Sequence, residues 1–162
     1  MSAAISTTDS LRWVEQGTRM LSDALDALGH DESTWDADSA LPGWTRKHLI
    51  AHVAANADAL NNLVHWARTG EKTPMYSSPE QRAADIETGS QLSGAELRGW
   101  FRDSAKRLMD GLSDLSTEQW QAEVRTAQGR TLPATQIPWL RAREVLIHPV
   151  DLGTDMSFTD LP

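Results

Sequence analysis

The chain has 162 residues, 40% hydrophobic and 23% charged, with 10 Gly and 7 Pro, which are the values of one folded domain with a real core. A net charge of −8 leaves no basic stripe to neutralise a phosphate backbone, which argues against nucleic acid as a partner. There is no cysteine, hence no disulfide framework, thiolate metal site or cysteine nucleophile, and any thiol chemistry needs a thiol from outside. The opening MSAAISTTDS lacks a signal pattern and no segment approaches the roughly 20 apolar residues of a membrane span, so the expectation is a cytoplasmic protein without membrane contact.

Leu11, Val14, Thr18, Leu21, Leu25 and Leu28 recur at helical spacing after a polar start and before Gly29, which predicts a first helix. Residues 30–43 carry Asp, Ser, Pro and Gly and read as a loop anchored by Trp35 and Trp44. Thr45 then caps a long helix over 46–68, with Gly70 as its stop. Ser78-Pro79 starts a short, polar, peripheral helix to about residue 87. Ser93 and Glu96 have capping-box spacing, and Leu97, Trp100, Phe101, Leu108 and Leu112 mark the next helix. Residues 117–125 read as a helical turn or an edge segment, and Gln128-Gly129-Arg130 as a turn. The last helix spans 138–152, with Gly153 as its stop. Four long helical patterns without sustained alternation of period two predict an all-α, antiparallel four-helix bundle.

His48, His52 and Asn56 are spaced by four, each about 40° around from the last, so they share one stripe. Arg141, Glu144, His148 and Asp151 form a second stripe on the last helix. Glutamate at i and histidine at i+4 can clamp one ion, and His48 or His52 from a facing helix can supply a third ligand. Two imidazoles and a carboxylate suit zinc, iron, nickel or manganese better than calcium, with zinc first by availability. The same spacing also admits an exposed acid beside two hydrogen-bonded core histidines. His30 and His65 fall outside the stripe and read as structural, and the Trp residues on apolar stripes read as core. Arg82 and Arg130, near predicted helix ends, are placed to hold a carboxylate or to remain solvated.

The stretches GWTRKHLIAHVAANADALNNLVHWARTGEKTPMY, AQGRTLPA and LRAREVLIHPVDLG resemble the mycothiol-dependent maleylpyruvate isomerases, members of the DinB-like metalloenzymes, and the likeness runs from Trp13 to Leu161. It implies a DinB-like antiparallel four-helix bundle with the metal at one end. It also implies His52 in AHVA, Glu144 in REV and His148 in IHPVDLG as the ligands of a divalent metal, zinc first, with mycothiol as the thiol cofactor. The implied activity is the cis to trans isomerisation of maleylpyruvate to fumarylpyruvate, so the implied partners are a small thiol and an unsaturated keto acid. Arg82 is the implied catalytic residue, and Asn56, Gln128 and Arg130 the implied thiol- or substrate-binding residues. Two other readings share the fold: a thiol S-transferase acting on another electrophile, and a metal-binding bundle without catalysis.

Two departures from the family pattern stand out. Pro149 follows His148 and removes a helical hydrogen bond to the Val145 carbonyl, which predicts a kink at the ligand. Family enzymes usually continue into a second domain, so the expectation is one metal-binding domain over 1–162, with that C-terminal domain absent from this chain.

Overall fold

A computed structural model describes residues 5–154 and 156–161; the first four residues, Asp155 and Pro162 of the expected 1–162 domain lie outside the described residues. Helix α1 (Thr7–Ala27) is capped by the Ser6 side chain, and α3 (Arg46–Thr69) by Thr45 in a capping box completed by His48. Helix α5 (Gly94–Ser113) opens on the expected Ser93 and Glu96 box, and α7 (Ile137–Asp151) begins after a 3-10 turn at Ala134–Gln136. These four long helices form the bundle. Helix α1 packs chiefly on α7 and α3 chiefly on α5, while α3 also meets α7. No helix among the described residues is long and apolar enough to cross a membrane.

Helix α3 is the central element. Its residues from Lys47 to Ala57 are buried with the single exception of the half-buried His48, as expected of a helix surrounded by others. One apolar cluster, with Leu21, Leu25, Trp35, Leu49, Val53, Phe101 and Val145, fills one end of the bundle. A second, with Ala57, Leu60, Leu63, Leu108, Leu112 and Ile137, fills the other.

Close approach of α1 to α7 depends on Gly17: a Cβ there would lie 2.6 Å from Val145 Cγ2. Val145 directly follows Glu144, so this contact fixes the height of the turn that carries Glu144.

Three readings gain detail from the structure. Residues 30–43 contain a five-residue helix, α2 (Glu32–Asp36), capped by Asp31, too short to display a period. Its Trp35 is buried and donates from Nε1 to the Gly29 carbonyl at 3.1 Å. Residues 117–125 realise both alternatives, a helical turn α6 (Thr117–Trp120) and a strand β1 (Glu123–Arg125). Strand β1 pairs antiparallel with β2 (Thr131–Pro133), Val124 opposite Leu132, and three-residue strands are too short to show alternation. The third concerns Pro149: it sits in the last turn of α7, and the helix runs on to Asp151 with the Glu144–His148 pair in register.

Candidate metal centre and adjoining cavity

Helix α3 presents His52, and α7 presents Glu144 and His148 one turn apart. Ligand atoms of these three residues lie within 4.8 Å of one another, a group that can hold a metal ion. His52 Nε2 is 3.1 Å and His148 Nε2 2.7 Å from the same oxygen, Glu144 Oε2. The rings stand edge to face at 5.2 Å. One oxygen and two nitrogen donors converging from facing helices fit a borderline divalent cation such as zinc.

Burial alone would raise the Glu144 carboxyl, but hydrogen bonds from His148 and His52 override it and hold the group well below the usual carboxylate range. Glu144 is therefore an anion at neutral pH, the state a metal ligand requires. For His148, burial pulls the imidazole down, while Glu144 and then Asp151 raise it further, so it ends above its ordinary value. Asp151 Oδ2 lies 2.9 Å from His148 Nδ1.

His48, the alternative ligand on the α3 stripe, turns away. Its Nδ1 faces Thr45 in the capping box and its Nε2 lies 3.2 Å from Glu87. His65 is 3.6 Å from Glu71 and His30 is exposed.

Arg82, on α4 (Pro79–Gly89), reaches the cluster from the other side: Nη2 lies 3.2 Å from His52 Nδ1. A guanidinium only donates, so His52 Nδ1 accepts and Nε2 carries the proton donated to Glu144. The same guanidinium stands 6.0 Å from the centre of the Tyr76 ring, whose hydroxyl is pushed up by burial. Helix α4 is mostly exposed, as expected, yet it delivers one side chain to the centre.

A cavity of about 430 Å³ opens beside Glu144. Asn56, Gln128 and Arg130 line it together, and Arg143, Thr126 and Met75 add to its wall. Gln128 and Arg130 arrive from the β1–β2 turn, which Gly129 closes with φ 81°.

The family model for the mycothiol maleylpyruvate isomerase N-terminal domain matches residues 6–153. The chain belongs to that family. Among solved structures, it is similar to the mycothiol-dependent maleylpyruvate isomerase and to the H52A mutant of that enzyme, each at 47% identity with a TM-score of 0.92. In both matches 98% of this chain is covered, and it spans 65% of the other. No curated protein matches it.

Several residues around the centre have no role in the sequence pattern. Asp151 was on the α7 stripe without a role. Trp44, whose ring lies 5.4 Å from that of His52, was read as a loop anchor. Tyr76 and Arg143 carried no sequence signal, because one sits in an irregular segment and the other on an exposed helix position.

Proposed function

We propose that this chain is the metal- and mycothiol-binding unit of a maleylpyruvate isomerase, converting the cis substrate to fumarylpyruvate. The observation that carries the reading is the convergence of His52 and His148 on one oxygen of Glu144 in a chain of this family. His52, Glu144 and His148 would hold the divalent ion, zinc by donor chemistry. Such an ion, when bound, supplies a Lewis acid that lowers the pKa of an incoming thiol, so that thiolate is available at neutral pH.

The reaction balances without any net change of electrons or protons. A bond forms between the thiolate sulfur and one alkene carbon, and the π pair moves to the conjugated carbonyl oxygen as an enolate. The carbon–carbon bond, now single, turns. Collapse of the enolate breaks the carbon–sulfur bond and restores the alkene as trans.

The chain's own residues supply orientation and charge. Asp151 holds the His148 ring, and Arg82 stands at His52 as a cation for the oxygen on which negative charge develops. Asn56, Gln128 and Arg130 offer donors to the thiol or to the substrate carboxylates. The partners are then a small thiol and an unsaturated keto acid, and a reducing cytoplasm is the setting in which that thiol stays reduced.

The test is direct. Zinc-loaded chain, mycothiol and maleylpyruvate are mixed and the conversion is followed by absorbance and product analysis. Formation of fumarylpyruvate dependent on both metal and thiol is expected; no turnover with zinc bound and thiol present overturns the assignment.

A further inference from the structure

Arg141, one turn before Glu144 on α7, is fully buried, with 0% exposure. Its Nη1 donates to the Val53 carbonyl at 2.7 Å and to Asn56 Oδ1 at 3.0 Å, both on α3. Its Nε and Nη2 have no partner. Burial pushes its pKa down to about 10, which leaves it charged at neutral pH. A buried guanidinium with three of its five N–H donors idle contributes little to stability compared with an apolar residue of like size. Its position asks for another explanation.

The explanation lies in what it does to Asn56. A side-chain amide has one accepting and one donating end, and a guanidinium has donors alone. Asn56 must therefore give Oδ1 to Arg141, and its Nδ2 is turned away from it. Asn56 is 7% exposed and lines the cavity beside Glu144, and Nδ2 makes no hydrogen bond among the described residues. The cavity wall thus carries an oriented N–H donor, polarised from behind by a positive charge held in low dielectric. Arg130 and Arg143 stand on the same wall, with Glu144 as its acid at the metal end. Such a surface selects an anion.

We infer that Asn56 donates from Nδ2 to a carboxylate of the ligand in this cavity, and that Arg141 is the positioning residue that fixes the amide in that sense. The identity of the ligand as a keto acid rests on the proposed isomerase reading; the anion subsite does not. The metal centre and the subsite then hold opposite ends of one molecule, the reacting part near Glu144 and the carboxylate at Asn56.

The test uses succinate, a dicarboxylate with no double bond to isomerise, titrated calorimetrically into the zinc-loaded chain, with turnover of maleylpyruvate measured in parallel. Asn56→Leu, close in size and adding no charge, is expected to weaken succinate binding about ten- to a hundredfold with zinc content unchanged. Arg141→Met is expected to weaken it similarly while leaving the melting temperature level or higher, and Arg141→Lys, which keeps the cation, to recover part of the loss. A merely structural arginine would lower stability and binding together. Succinate binding that is absent in the wild type, or equal in wild type and both Asn56→Leu and Arg141→Met, overturns the inference. Binding that falls in these variants, in a chain that does not turn over maleylpyruvate, supports the subsite and rejects the isomerase.

Discussion

Asp151 and His148 are joined by a 2.9 Å contact between Oδ2 and Nδ1, while the far nitrogen of the same ring points at Glu144. Both carboxylates can only accept, so both ring nitrogens donate here; Asp151 keeps the proton on Nδ1, and Nε2 is the nitrogen that would give up its proton to a metal. Asp151→Asn is expected to weaken metal binding by about ten- to a hundredfold without unfolding the chain. Competition with a chelator measures this; unchanged affinity would show that packing alone holds the ring.

His52→Ala and Glu144→Ala should each abolish stoichiometric metal, whereas His48→Ala should retain it. The His48 imidazole is engaged with Thr45 and Glu87 and lies outside the cluster. Losing half of the capping box costs about 1 kcal/mol, read as a modest fall in melting temperature. Metal analysis of the three variants separates them, and a metal-free His48→Ala protein would reassign the α3 ligand.

Arg82→Ala should keep its metal and lose rate. The guanidinium donates to His52 Nδ1 while Nε2 carries the ring proton; an ion on Nε2 would move that proton to Nδ1 and end the contact, so removing Arg82 does not weaken the ligand. The loss of a cation beside the developing enolate should cost about a hundredfold in kcat. Equal metal content with unchanged kcat would remove Arg82 from the chemistry.

Gly17→Ala should destabilise the fold by about 1–3 kcal/mol, because its Cβ would press on Val145 Cγ2 at 2.6 Å and on the backbone of α7. The double variant with Val145→Ala should recover part of that loss. Denaturant unfolding of the two single variants and the pair measures the coupling, and additive effects would place the clash elsewhere.

Stability should also fall in acid through a contact outside the candidate metal centre. Lys47 Nζ lies 2.7 Å from Glu32 Oε2, and the Gly94 amide donates to Oε1 of the same carboxylate at 3.0 Å. Lys47 first and Gly94 second hold the Glu32 carboxyl below its ordinary value. A depressed carboxyl contributes stability above its unfolded pKa, about 4.3, and loses it as pH falls through the folded value. Lys47 is raised, chiefly by Glu32, so its own contribution is present below about pH 10.4 and is lost as pH rises through its folded value. Lys47→Met should flatten the acid slope in urea unfolding from about pH 6 down to about pH 3; an unchanged slope would assign it to other carboxylates.

The long helices were legible because caps and stops are local. Thr45, Ser93, Gly70 and Gly153 each perform the role their chemistry suggests. Helix α2 and the β1–β2 hairpin were not, since five-residue and three-residue elements owe their form to tertiary contacts such as Trp35 in the core. At the site, spacing put His48 and His52 on one stripe without choosing between them. The choice depends on how far the stripe has turned when α3 meets α7, which the resemblance supplied and the geometry of Glu144 matches. Pro149 shows the limit of a local rule: it falls in the last turn of α7, and the helix runs on to Asp151. The direction of the Asn56 amide had no sequence signal, because it is set by Arg141 across a helix interface 85 positions away.

The β1–β2 turn lends Gln128 and Arg130 to the cavity from exposed positions, while His52, Glu144 and His148 sit on helices locked into the bundle. Substitutions in the turn therefore disturb little packing, whereas substitutions on α3 or α7 disturb the core and the candidate metal centre together. The cavity wall and the candidate metal centre are in this sense separately adjustable: a differently shaped molecule can be accommodated by redrawing the five residues between β1 and β2 without rebuilding the helices behind them.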